Sequence, residues 1–282
     1  MKKPKTMKRK NLLALVLTGA LAVSMFACKK KDAAETTNKD EISKTTLSQI
    51  SAMGFSTENA RKVDGGYLVE GDIVLTDDNL AKKSNTPNLN IAETEQYRTT
   101  NLVKNLPRAI TISVTNLPQV YSDAVDLMIT RYNAQGLGLT FQRANTGTVG
   151  DIDVFGFNEG PSGGYITLGS SGFPTAAGDP FNQVKMNTNA AAYGANPNLL
   201  YVASVLQHEV GHCIGFRHTD YMNRAYSCGG KRANEGTAGV GAVLIPGTPS
   251  KADAESFMLA CSNGGDRTFN ANDLIALKYL YK

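Results

Sequence analysis

The sequence predicts a mixed α/β fold, a twisted sheet with helices packed on it. Segments of alternating hydrophobicity are interleaved with two long segments of helical period, in the order strand, helix, several strands, helix. No period of roughly 20 to 50 residues repeats, which sets solenoids and propellers aside. With 41% hydrophobic residues over 282 positions, the chain can bury one sizeable core and carry a smaller segment beside it.

Residues 1–27 form a basic head with six Lys and Arg followed by an apolar run from Leu12 to about Phe26. That run is short for a membrane span and reads as a signal peptide. Cys28, directly after Ala27, resembles the lipidation acceptor of a bacterial lipoprotein signal, although Met25 and Phe26 are bulkier than usual before such a cysteine; simple secretion is the alternative. Export to the bacterial cell envelope follows, at the outer membrane or cell surface, with the lipid as membrane anchor. Removing the six charges of the leader turns the formal net charge of +4 into −2, so the basicity gives no ground for a nucleic-acid partner.

Residues 28–45 are a polar tether, and 46–95 read as a small pro-like segment and linker. In that segment a short helical pattern from Leu47 precedes a turn at Asp64, Gly65 and Gly66 and a strand-like "YLVEGDIVL" (67–75). Asp77 to Thr94 is polar and reads as linker.

The main domain is expected over 96–282. "RAITISVT" (108–115) alternates as a strand. The next segment reads as a helix opened by Pro118 and closed by Gly136, with a stripe of Val120, Ala124, Leu127 and Met128. Strands are expected at 139–144, 151–157, 165–170 and 183–188. A second helix follows, with Asn196 as N-cap, Pro197 in its first turn, and Leu199, Val202, Val205, Leu206, Val210 and Ile214 as its apolar stripe. Gly215 ends it, and "NANDLIALKYLYK" is a final helix with Leu274, Leu277 and Leu280 inward.

All three histidines of the chain fall in "HEVGHCIGFRH", 208–218. On a helix His208 and His212 project from one face, one turn apart, close enough to share a Zn²⁺. Glu209 lies beside them as a general base for the attacking water. A continuing helix would carry His218 roughly 9 Å further along the axis. Gly215 lets the chain reverse and return His218 as third ligand, leaving one position open, as catalytic zinc requires. An amphipathic helix that happens to spell HExxH is the bland reading; the long form HExxHxxGxxH makes it improbable.

Three cysteines lie beyond Cys28. Cys228 and Cys261 sit in Gly-rich, loop-like surroundings and form the expected disulfide, while Cys213 falls in an apolar helical pattern and reads as buried.

The long motif resembles that of metzincin zinc metalloproteases, and the wording is closest to the dual-action HEIGH metallopeptidases of bacteria. The likeness is carried by "HEVGHCIGFRHTDY", "YSCGG", "GVGAVLIPGTP", "SFMLAC" and "FNANDLIALKYLY", with Val210 where the family name has Ile. It implies a metzincin-like zincin fold with an active-site helix, a Met-turn and a C-terminal helix. His208, His212 and His218 would be zinc ligands, Glu209 the base, and Met258 the Met-turn residue under the imidazoles. The tyrosine that astacin-like and serralysin-like relatives carry two residues after that Met is Ala260 here, so its role is open; Tyr221 and Tyr226 are nearby in sequence. Asp220 can orient a loop or a histidine, or face solvent.

"LVEGDIVL" resembles the astacin propeptide motif, which implies that Asp72 binds the zinc and keeps the chain a zymogen until it is cut within 77–98. A Gly-Asp turn in a hairpin is the alternative. The acids Asp151 and Asp153 fit an alternating strand, and no calcium site is expected. The function read from these residues is that of a zinc metalloendopeptidase acting on proteins or peptides as a monomer. A zinc amidase acting on non-protein bonds and a surface lipoprotein with structural zinc are the alternatives. For a peptide substrate, the stretch 165–173 is the expected pairing edge.

Overall fold

The computed structural model describes residues 41–53, 55–81, 96–162, 164–235, 241–249 and 252–282. The leader, Cys28 and most of the linker lie outside these residues.

The elements run α1 (Lys44–Ala52), β1 (Arg61–Val63), β2 (Gly66–Val69), β3 (Ile73–Leu75), α2 (Asp77–Ala81), β4 (Tyr97–Arg98) and β5 (Arg108–Thr115). Then come α3 (Gln119–Asn133), β6 (Leu139–Arg143), β7 (Ile152–Phe157), β8 (Gly169–Ser170), β9 (Gln183–Asn187), α4 (Ala190–Tyr193) and α5 (Leu199–Cys213). The last are α6 (Ala225–Cys228), β10 (Val243–Leu244) and α7 (Ala271–Tyr281). The fold is mixed α/β, as the sequence predicts.

Five strands form the main sheet in the order β6-β5-β7-β9-β8, parallel except for the edge strand β8, which is antiparallel to β9. The alternation of β5 turns Ile110 and Ile112 into the core. They meet Tyr121, Val125 and Met128 of α3 and Val202, Leu206 and Val210 of α5 in one apolar cluster. Near β8 the second face is covered too, so β9 is buried from Val184 to Asn187, and Lys185 donates 2.6 Å to the carbonyl of Asp64.

The N-terminal segment has a smaller core of its own. Ile50, Met53, Phe55, Val69, Ile73, Leu75 and Leu80 close around Phe173, a residue of the main domain.

Several expectations are corrected. "YLVEGDIVL" is two antiparallel strands, because Glu70 and Gly71 take positive φ (54° and 96°) and turn the chain. The stretch read as linker begins with helix α2, whose first turn carries Asp77 and Asp78. The inner face of α3 is Tyr121, Ala124, Val125, Met128 and Tyr132, with Val120 and Leu127 only part-buried. Helix α5 is capped by Asn198, whose side chain accepts from the amides of Leu200 and Tyr201; its first residue, Leu199, is exposed. Only Gly169–Ser170 of the 165–170 stretch is strand. In α7 the inward residues are Asp273, Ala276, Leu277 and Tyr281, with Leu274 and Leu280 part-buried.

Candidate metal centre

Helix α5 carries His208 and His212 with ring centroids 4.7 Å apart. Gly215, at φ 110°, ends the helix and reverses the chain, and its carbonyl accepts from the amide of Thr99. A Cβ there would lie 2.8 Å from Leu102 Cδ2. The reversal returns His218, whose ring stands 4.7 Å from that of His212.

Each imidazole is oriented through Nδ1. His208 donates to the carbonyl of Phe257 and His212 to that of Phe216, both at 2.9 Å, and His218 meets Glu235 Oε1 at 2.7 Å. Carbonyl oxygens only accept, so the Nδ1 protons of His208 and His212 are fixed and their Nε2 lone pairs point at one another's neighbourhood. His212 Nε2 lies 3.1 Å from His218 Nε2. Asp72 completes the cluster, with Oδ2 3.1 Å from His218 Nε2 and 3.8 Å from His208 Nε2. One ligand atom from each of the four residues lies within 4.8 Å of the others.

The arrangement fits a divalent cation. Bare Nε2 lone pairs at this spacing repel unless a cation lies between them, and Asp72 Oδ1 is buried with no hydrogen-bond partner. Three imidazoles and one carboxylate are a donor set of zinc type.

Charge follows burial. Burial, then the nearby Asp72 charge, hold Glu209 well above the usual carboxyl range. Its Oε2 accepts from Ser171 Oγ at 2.7 Å, and a Cβ on Gly169 would lie 2.9 Å from its Oε1. Burial also acts to raise Asp72, but His218 and the hydrogen bonds to His208 and His218 outweigh it and hold the carboxyl well below its usual value. Burial, with the two neighbouring imidazoles, keeps His212 well below a normal histidine. For His218 burial is outweighed by Glu235 and Asp72, and the imidazole is raised well above. A proton and a cation therefore compete for the same Nε2 face of His218.

Glu235 had no signal in the sequence, since it lies in a loop seventeen residues past His218. It is fully buried between His218, Arg217 (3.8 Å) and Arg224 (3.4 Å). Ser171 and Arg224 were equally silent.

Met258 is fully buried under α5, where a Cβ on Gly211 would meet its Sδ at 2.6 Å. Asp273 anchors this turn: Oδ1 accepts from Ser256 Oγ and Oδ2 from the Phe257 amide, whose own carbonyl orients His208. Tyr221 packs edge-on against Tyr97, and the Tyr226 hydroxyl donates to the carbonyl of Ala252. Asp220 is buried and orients loops, accepting from Ser227 and the Ala260 amide. Beside it Cys228 and Cys261 are bridged, and Cys213 is a buried free thiol. Asp151 and Asp153 are taken up by Thr111, Ser113 and Thr115 of β5.

The N-terminal segment lies in the cleft. Ser171, in the stretch expected to pair with a peptide, donates its amide to the carbonyl of Asp72 and accepts from the amide of Val74. Glu70 pairs with Arg224 at 3.2 Å. A cavity of about 680 Å³ opens around these contacts, reaching His208, Glu209 and Arg267.

The family of dual-action HEIGH metallo-peptidases matches residues 67–281. No curated protein matches the chain. Solved structures similar to it include two of myroilysin. One is 15% identical, with a TM-score of 0.39, covering 61% of this chain and 82% of that one. The other is 14% identical, with a TM-score of 0.41, covering 64% and 96%. A third is high choriolytic enzyme 1, a hatching enzyme zinc-protease from Oryzias latipes, the medaka fish, at 15% identity and a TM-score of 0.34, covering 61% and 88%.

Proposed function

This chain belongs to the dual-action HEIGH metallo-peptidase family, and from that premise we propose that it is a zinc endopeptidase of the bacterial cell envelope, made as a zymogen and acting on proteins or peptides. The observation that carries the reading is the convergence of three Nδ1-oriented imidazoles beside a buried carboxyl, Glu209, that is not one of them.

His208, His212 and His218 would hold the ion, through the Nε2 atoms that their Nδ1 bonds leave free. A zinc ion there supplies a Lewis acid for the scissile carbonyl and lowers the pKa of an attacking water. Glu209 takes that water's proton on its carboxylate and hands it to the leaving amine nitrogen. Ser171, bonded to Oε2, holds the carboxyl in place. Glu235 and the two backbone carbonyls keep the rings from turning.

In the zymogen Asp72 takes the position that water and substrate need, and its charge adds to burial in holding the Glu209 carboxyl well above its usual range, against its use as a base. Activation is a cut within 77–98. The leader 1–27 and Cys28 support export and lipid anchoring, and the active form is a monomer.

Four protein ligands are also the mark of a structural zinc site, which is the second reading Asp72 favours. Zinc-loaded full chain with Asp72→Ala separates the two. The peptidase reading expects this chain to cleave denatured casein, to stop with a chelator, and to keep zinc but lose cleavage when Glu209→Ala is added. Zinc bound by both chains with no cleavage by either contradicts it and supports the structural site.

A further inference from the structure

We propose that Arg224 selects an acidic side chain in the substrate, at a subsite that Glu70 of the N-terminal segment fills in the zymogen; the inference rests on the peptidase reading above. Glu70 precedes Asp72 by two residues, so the carboxyl on Arg224 and the carboxyl at the imidazoles belong to one turn of chain. Glu70 is 6% exposed, with Oε2 3.2 Å from Arg224 Nη1 and Oε1 accepting from the Ser56 amide. A carboxylate is buried to this degree only where a partner is built for it.

That partner belongs to the wall of the cleft. Arg224 caps α6, whose last residue, Cys228, is bridged to Cys261. Its Nε faces Glu235 at 3.4 Å, which directs the Nη edge of the guanidinium towards the segment. Nη2 would lie 3.5 Å from a Cβ on Gly71, immediately before Asp72. When the segment leaves, Glu70 and Asp72 leave with it, and the fork of Arg224 faces the cavity. Lys231, Arg232 and Arg267 line the same cavity, and the acids that line it from the main domain, among the described residues, are Glu159 and Glu209, with Glu235 behind Arg224. A planar guanidinium beside further basic side chains recognises a carboxylate, and a glutamate or aspartate side chain of a substrate lying along the path of the segment brings one to the place Glu70 holds.

The test uses zinc-loaded full chain carrying Glu70→Ala and Asp72→Ala, which clears both contacts. Peptides capped at both ends, so that only side chains carry carboxylates, are compared in pairs that differ by Glu or Gln at each position flanking the cleaved bond. At one position the Glu peptide is expected to be favoured in kcat/KM by about tenfold or more. Arg224→Met should bring that ratio near one, and Arg224→Lys should keep part of it. Each ratio is taken within one variant, so a general loss of activity through Glu235 and His218 cancels. Fluorescent versions of the same peptides, bound to the chain with Glu209→Ala added, give the preference without turnover. Cleavage with no Glu preference, or a preference that survives Arg224→Met, overturns the inference and leaves the peptidase reading standing. Silence on every peptide and on casein overturns that reading, while the binding arm still reports whether Arg224 prefers Glu.

Discussion

Replacing Asp72 with alanine takes a carboxylate from the imidazoles and leaves in place the backbone that carries it. The lost contacts are those of Oδ2 with His218 at 3.1 Å and with His208 at 3.8 Å. A charge-assisted contact of this kind contributes about 2 kcal/mol net, so its loss moves the balance between closed and open cleft by about 30-fold. The other anchors remain: the two backbone bonds to Ser171, the Glu70–Arg224 pair and the apolar cluster around Phe173. Turnover of the zinc-loaded full chain should therefore rise by about 30-fold, and stay below that of a chain cut within 77–98. Removing the Asp72 charge also relieves one of the two causes that raise Glu209, the other being burial. The acid limb of the kcat/KM profile should move to lower pH than in the parent. Initial rates on a quenched peptide across about pH 5 to 9 measure both. An unchanged or lower rate with zinc retained refutes the idea that this carboxylate closes the site.

Glu235→Gln removes the anion that orients His218 and that lies 3.8 Å from the wholly buried guanidinium of Arg217. Zinc affinity should fall about 10- to 100-fold by metal titration, and stability by about 3 kcal/mol in denaturant unfolding. Gly211→Ala puts a methyl 2.6 Å from Met258 Sδ and 2.9 Å from Phe257 Cε2. It should cost about 1–3 kcal/mol and weaken metal binding through Phe257, which orients His208; unchanged unfolding and affinity would show that the turn yields freely. Burial raises Asp273 to about 6 despite its hydrogen bonds to Asn270, Phe257, Ser256 and Gln96. The folded state then holds that proton more tightly than the unfolded one, a stabilisation present at low pH and lost as pH rises through about 6. Thermal melts of Asp273→Asn should lack that leg of the parent's pH profile.

The reactive core of the site was legible because it is local. Helical period places His208 and His212 together, and one glycine accounts for the return of His218. The residues that orient and regulate it were not, because Glu235, Ser171 and Arg224 reach the cluster only through the folded chain. Asp72 was visible only through a family likeness, and it proves to be both a hairpin turn and a neighbour of the imidazoles, so the two readings were not alternatives. In α3 the buried tyrosines 121 and 132 pass for polar in a hydrophobic pattern, yet their hydroxyls donate to the carbonyls of Asn187 and Gln207, which lets the rings face inward and turns the expected stripe. The start of α5 was misplaced because two asparagines compete for the cap, and only Asn198 reaches the free amides.

X-ray absorption at the zinc edge on the loaded full chain tests the central claim most directly. Three imidazole nitrogens at about 2.0 to 2.1 Å with a single oxygen, and an ion lost in His212→Ala, are the expected result. Sulfur in the shell, fewer than three imidazoles, or an ion that survives His212→Ala would contradict it.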